Sequence, residues 1–339
     1  ILNANDCIVC CTMRTTIRQI AKVAGVSPST VSRVLSGRGA HLISPSTRER
    51  VLQVAKELEY QPNIAARSLV TGRTHTIALW LNEIYTSFHA RVVQLIEDHL
   101  WQHGDDTLIR RVGRSLLASH VYTEHVDGIL AHECPAYLDR VWKVFQRRGL
   151  PVVSAGAYVH TQVDYVAVDL FAGGLVAVRH LIQVGCRRIA YMVNAESCHV
   201  GDARRDAYDT AMREAGLPTE HIIVPDQRRV ASSVVIREYV QDYGLPDGIF
   251  CHNDEMAIGV YHGLRRLGVH IPDDVALVGC DGIEDTEYLE VPLSTIRQPL
   301  EQMCQLACDL LYARLAEPNR ETQGIVLQPE LVMRESSLR

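Results

Sequence analysis

Along the first sixty residues, apolar positions recur at helical spacing in three short blocks. Thr16 is a good helix N-cap, and Ile17, Ile20, Ala21 and Ala24 follow it as a stripe that Gly25 breaks. Ser27 caps a second block. Pro28 stands at its first helical position, where a missing N–H costs nothing, and Val31, Val34 and Leu35 form the buried side. Ser44-Pro45 repeats that start before Val51, Val54, Ala55 and Leu58. Two short helices joined by a Gly-containing turn, closed by a third, predict a helix-turn-helix. Past Thr74 the texture changes to short apolar runs alternating with amphipathic stretches. The runs predict strands over 76–81, 128–131, 151–155, 188–193, 248–251 and 275–278, and the stretches predict helices over 86–103, 172–184, 203–215 and 254–267. This alternation indicates parallel sheets covered by helices. Val126-Asp127-Gly128-Ile129-Leu130 has an echo in Pro246-Asp247-Gly248-Ile249-Phe250, so two similar α/β lobes are expected.

Charge divides the chain in the same place. The net charge is −6, yet residues 13–73 hold ten basic side chains against three acidic ones. That leaves −12 on 74–339, with Asp6 the one charge in 1–12. A basic head on an acidic body predicts that the head meets a polyanion and the body does not; a solvated basic surface is the plainer alternative. Hydrophobic content of 47% and charged content of 22% exclude disorder and collagen-like structure. No apolar run reaches the ~18–20 residues of a membrane helix. The first residues lack a basic segment followed by an apolar stretch, so a secretory signal is not expected. The first Met is Met13, and 1–12 read as a tail or an upstream-coded segment.

The ten cysteines read as reduced cytosolic thiols, and Cys7, Cys10 and Cys11 have no second ligand pair for a metal. His99 and His103 lack a third ligand and read as surface residues. There is no Gly-rich phosphate loop, no Gly-x-Ser-x-Gly elbow and no coherent metal set, so neither an enzyme nor a cofactor is expected.

Two long motifs go further. Thr16-Ile17-Arg18-Gln19-Ile20-Ala21-Lys22-Val23-Ala24-Gly25-Val26-Ser27-Pro28-Ser29-Thr30-Val31-Ser32-Arg33-Val34-Leu35 resembles the DNA-binding signature of the lactose/galactose repressor (LacI/GalR) family, and so does Tyr60-Gln61-Pro62-Asn63-Ile64-Ala65-Ala66-Arg67-Ser68-Leu69. The resemblance implies a helix-turn-helix over 13–61, a hinge helix and linker over 62–73, and over 74–339 a two-lobed, periplasmic-binding-protein-like α/β body for effector binding and dimerisation. It places Pro28 and Ser29 at the variable base-reading positions and makes Arg33 the arginine that reaches a guanine, for which a bidentate fork onto O6 and N7 is the physical reason. Thr16, Ser27, Thr30 and Ser32 are candidates for phosphate contacts, with pure capping an equal reading of Thr16 and Ser27. In the hinge, Asn63, Ala66 and Leu69 are the implied DNA-binding residues, and Leu69 matches a side chain that wedges between central base pairs. A segment of about eight residues is too short to be helical alone in water, so it folds when two copies meet on DNA.

In the body the resemblance implies a small molecule between the lobes, at the carboxyl ends of the strands. It points to Arg204, Asn253, Asp281 and Gln298, and more weakly to Tyr85, Phe88 and Asp169. Phe88 is read equally as core or wall, and Asp254 as the cap of its own helix. Departures from the family pattern are Ala207 for a glycine, a stretch between Leu108 and Val126 about ten residues short, Gly156 where sugar-binding relatives often carry an acid, and Gln227 near the place of a stacking ring. The last two weaken an ordinary hexose reading, while Arg204 and Asp281 still allow a polyol, a sugar acid or a phosphorylated sugar. The expectation is a cytoplasmic, ligand-responsive repressor, a homodimer on a near-palindromic operator in double-stranded DNA, with no membrane partner. A periplasmic transport receptor is the alternative that the basic head argues against.

Overall fold

The structure is a computed structural model that describes residues 15–36, 42–60, 72–112, 125–199 and 201–339. It contains two compact units, 1–74 and 75–339. In the first, α1 (Ile17–Ala24), α2 (Pro28–Ser36) and α3 (Pro45–Glu57) close over Ile20, Val31 and Val51, all fully buried. Gly25 ends α1 in the left-handed region at φ 66°, which glycine adopts without a Cβ clash. This turn lets α2 start again after two residues.

The second unit holds two six-stranded sheets. The first-lobe sheet runs β11 (Gly324–Leu327), β5 (Asp164–Val168), β4 (Val152–Gly156), β3 (Gly128–His132), β1 (Thr76–Leu81), β2 (Asp106–Arg111). Its strand pairs are all parallel. The second-lobe sheet runs β12 (Glu330–Val332), β10 (Ser294–Arg297), β9 (Ala276–Asp281), β8 (Gly248–Cys251), β6 (Ile189–Asn194), β7 (His221–Val224), with only β12 antiparallel. Leaving out β11 and β12, the two orders are the same, so the echo in the sequence is an echo in topology. It also has a local cause. Asp127 accepts the N–H of His75, just ahead of β1, at 3.0 Å, and Asp247 accepts the N–H of Arg188, just ahead of β6, at 2.8 Å. Each Asp-Gly therefore pins the start of the neighbouring strand.

Helices α4 (Ser87–Gln102), α5 (Pro135–Arg148) and α10 (Leu300–Ala316) belong to the first lobe, and α6 (Leu170–Gln183), α7 (Ala203–Glu214), α8 (Arg229–Tyr243) and α9 (Asp254–Arg266) to the second. Parallel strands need crossovers of this kind, and helices on both faces bury the sheets. Trp80, fully buried, packs its ring 5.1 Å from Tyr137 and 5.3 Å from Phe145 under one face of the first sheet. Ala207 departs from the family's glycine, and its methyl is accommodated by Gly174 across the α6–α7 contact, where a Cβ would come within 2.9 Å of it.

All six expected strands are present, with ends shifted by up to three residues. Strands β2, β5, β7, β10, β11 and β12 and helices α5, α8 and α10 add to them. The shortened stretch after Leu108 lies largely at 113–124, outside the described residues. One reading is corrected. Asn253, not Asp254, caps α9: its Oδ1 accepts the Met256 N–H at 2.9 Å. Asp254 is fully buried and braces the loop beyond β9. Its carboxylate accepts from Gly282 N at 2.7 Å, Ile283 N at 3.0 Å and Thr295 Oγ1 at 2.7 Å. Burial pushes this carboxyl up to about 6, against the pull of those donors.

Replacing Asp254 by Ala strands the buried Ile283 N–H and the Thr295 hydroxyl hydrogen and leaves the Gly282 N–H only Thr295 Oγ1 at 3.3 Å. It is expected to destabilise the intact chain on the order of 3 kcal/mol in urea unfolding. A loss below about 1 kcal/mol would contradict the brace.

Candidate functional site

On the head, Pro28, Ser29, Ser32 and Arg33 of α2 are exposed. Successive residues turn by about 100°, so these four share one face opposite buried Val31 and Val34. Thr16 caps α1 in a reciprocal box: Gln19 N donates to its Oγ1 at 3.3 Å while its own N donates to Gln19 Oε1 at 2.7 Å. Ser27 accepts from Thr30 N at 3.1 Å, and its hydroxyl lies 2.7 Å from that of Ser29 and 2.8 Å from that of Thr30. Thr16 and Ser27 thus serve as caps and are exposed as well. Asn63, Ala66 and Leu69 lie outside the described residues, as do Cys7, Cys10 and Cys11.

In the body, a cavity of about 310 Å³ opens between the strand ends of the two sheets. Asn82 follows β1, Glu133 follows β3 and Tyr158 lies beyond β4; from the second lobe come Asn194 at the end of β6, Asn253 after β8, Asp281 at the end of β9 and Gln298 after β10. Five of the seven expected residues line it: Phe88, Arg204, Asn253, Asp281 and Gln298. Tyr85 and Asp169 do not. Tyr85 is 77% exposed, with the Arg111 guanidinium 5.6 Å over its ring. Asp169 caps α6 by accepting from Ala172 N at 2.9 Å. Phe88 is 6% exposed and serves as both core and wall.

The second-lobe wall is a set of interlocked polar groups. Arg204, at the start of α7 behind the Asp202 cap, donates from Nη1 to His252 O at 3.2 Å. Gln298 Nε2 donates to Asp281 Oδ1 at 2.9 Å. Asn253 Nδ2 donates to Gln227 Oε1 at 2.9 Å, and Gln227 Nε2 passes the chain on to Asn194 Oδ1 at 3.3 Å. Gln227 is therefore part of a hydrogen-bonding amide series in the position where a ring was missed. Burial, followed by the Asp254 charge, pushes the Asp281 carboxyl well above the usual range, with Arg204 and Gln298 pulling it back. Burial likewise holds His252 far below its ordinary value, helped by Arg204, so it is neutral where Tyr191 OH meets its Nδ1 at 2.7 Å.

Within this wall Arg204 Nε and Gln298 Oε1 are buried, without a hydrogen-bond partner among the described residues. A buried donor and a buried acceptor left open together are costly unless something supplies their hydrogen bonds. Glu133, Asn194 and Tyr158 were missed from sequence. Asn194 ends β6 and Glu133 follows β3, so the strand-end rule could have found both; Tyr158 carries no such local signal. Among the described residues no cluster of His, Cys, Asp or Glu fits a metal ion, and no helix is long and apolar enough to cross a membrane.

Comparison with known proteins agrees with this division of the chain. Residues 16–63 match the bacterial regulatory proteins of the lacI family, and residues 178–337 match the periplasmic binding protein-like domain. The HTH-type transcriptional regulator CelR of Thermobifida fusca is 33% identical over 338 residues, covering 95% of this chain and 98% of that protein. The ribose operon repressor of Haemophilus influenzae is 31% identical over 329 residues, with 95% and 98% covered. A solved complex of CelR with cellobiose superposes with a TM-score of 0.68 at 30% identity, covering 95% of this chain and all of that one. The lac repressor dimer bound to operator and the anti-inducer ONPF reaches 0.83 at 22% identity over 96% of this chain and all of that one, a likeness of fold. With relatives above 30% identity across nearly its whole length, the chain belongs to the LacI family of bacterial regulatory proteins.

Proposed function

We propose that this chain is a ligand-responsive, sequence-specific regulator of transcription, a repressor acting in the cytoplasm. The observation that carries the reading is the pairing, in one chain, of an exposed recognition face with a cavity lined by polar side chains of both lobes. The head grips duplex DNA; Pro28 offers apolar contact only, so Ser29 and Arg33 carry most direct readout, while Thr30 and Ser32 position the helix on phosphates. Asn63, Ala66 and Leu69 are assigned to the hinge contact with the minor groove. The cavity takes a small effector, a sugar or sugar derivative, held by Arg204, Asp281 and Gln298 with Phe88 and Asn253 beside it. Relatives described as a ribose operon repressor and as a complex with cellobiose support that class. No catalytic step is assigned to any of these residues.

The working form is a homodimer, whose two-fold axis matches a near-palindromic operator. The lac repressor neighbour is a dimer on its operator. Trp101, Leu108 and Ile109 are exposed at the end of α4 and on the edge strand β2, where a second copy would cover apolar surface and strand edge together.

Selection of binding sites from a random duplex pool by the intact chain tests this reading: enrichment of a near-palindrome is expected, and no enrichment contradicts it. With that site in hand, Arg33→Ala should cost about 1–3 kcal/mol of affinity and relax preference at one base pair of each half-site; an unchanged preference removes the role. Arg204→Ala should abolish the change in operator affinity that an effector causes, read by fluorescence anisotropy, and a surviving response would place the effector elsewhere.

A further inference from the structure

Gly156 ends β4 with φ 124°, a conformation that side chains other than glycine rarely adopt. A Cβ there would overlap Glu133 Oε1 and lie 3.0 Å from Glu133 Cδ. The Glu133 carboxyl therefore occupies the space in front of residue 156. Glu133 itself has φ 53°, a strained setting for a residue with a side chain, which persists only where surroundings enforce it. A side-chain contact holds it there: Glu133 Oε1 accepts the Ala157 N–H at 2.6 Å. Burial pushes this carboxyl above its ordinary range, while Ala157 N–H and the Arg204 charge draw it back. Glu133 lines the cavity and its Oε2 accepts no hydrogen bond among the described residues.

Across the cavity from Glu133 stand the second-lobe side chains of Arg204, Asn253, Asp281 and Gln298. A hydroxyl group donates and accepts, so a ligand bearing several of them matches a lining that mixes a guanidinium, amides and carboxyl groups. The rings of Phe88, Tyr137 and Tyr158 on the first-lobe side supply apolar faces for the carbon skeleton. Four carboxylates line the cavity, Glu83, Glu133, Glu196 and Asp281, against two guanidiniums, Arg140 and Arg204. A phosphate or carboxylate on the ligand would crowd a further anion against these carboxyl groups, two of which burial already pushes upward.

We infer that Glu133 is the first-lobe residue that determines ligand specificity: through Oε2 it accepts a hydroxyl hydrogen of an uncharged saccharide and turns away anionic sugars. The inference rests on the effector reading above and narrows it, setting aside sugar acids and phosphorylated sugars.

The test uses the full chain and a fixed set of probes: glucose, ribose, lactose and cellobiose beside glucose 6-phosphate, ribose 5-phosphate and gluconate. Thermal shift identifies binders and titration calorimetry gives Kd. At least one uncharged sugar is expected to raise Tm, the anionic ones to leave it unmoved. Glu133→Gln keeps an acceptor for Ala157 N–H but loses the charge, and should weaken the binding sugar about 10- to 100-fold. Glu133→Asp, one methylene shorter, should weaken it comparably and decides the matter if the Gln variant fails to fold. Unchanged affinity in a folded variant, preference for an anionic sugar, or no shift with any uncharged sugar overturns the inference. Binding of the selected duplex is measured on the same preparation. If DNA binding stands while the sugar result fails, only the Glu133 assignment falls; if both fail, the regulator reading falls with it.

Discussion

Asp254 holds its carboxylate where water does not reach, and it can do so because three donors converge on it. Two are backbone N–H groups just beyond β9, and the third is the Thr295 hydroxyl on β10. A buried charge left without such partners would cost several kcal/mol, so the loop, the start of α9 and the neighbouring strand are fixed together or not at all. Asp281 lies immediately before that loop with φ 136°. Its place in the cavity wall, and through Gln298 the next strand's contribution, depend on this one bonded carboxylate. Asn253, next in sequence to Asp254, then ties the same helix start to Gln227 and Asn194.

The wall so built holds two buried polar atoms without partners among the described residues. Arg204 Nε and Gln298 Oε1 have surrendered hydration without a replacement among the described residues. A ligand bound against this wall stabilises whichever lobe arrangement it fits best. Only a ligand that binds two arrangements unequally can change what happens at the head. Polar side chains line the cavity from both lobes, Glu133 from the first and Arg204, Asn253, Asp281 and Gln298 from the second, with the rings of Phe88 and Tyr137 on the first.

Legibility in the sequence followed burial. β1, β3, β6, β8 and β9 are buried along nearly their full length and read as continuous apolar runs. β2 (DTLIRR) is an exposed edge and β10 (STIR) is short and polar, so neither stands out from a loop. Arg204, Asn253, Asp281 and Gln298 were legible because each sits in a motif at a strand end or helix start. Tyr85 and Asp169 have comparable local settings but do not face the cavity; a helix cap and an exposed turn leave no mark that tells them apart. Gly156 was read as the loss of an acid. Its φ and the Glu133 carboxyl in front of it show why that reading was incomplete: the acid comes from another strand, 23 positions earlier, and no local pattern encodes the exchange. In the head, caps and stripes are all local, and Thr16, Gly25, Ser27 and Ser44 act where their residue types predict.

The central claim is that the cavity and the recognition face are thermodynamically linked. Linkage is reciprocal: the factor by which a saturating sugar changes operator Kd must equal the factor by which saturating operator changes sugar Kd. Both are measured on the intact chain, by anisotropy and by calorimetry at one salt concentration. Two equal factors, each different from one, are expected; a sugar affinity indifferent to operator breaks the link.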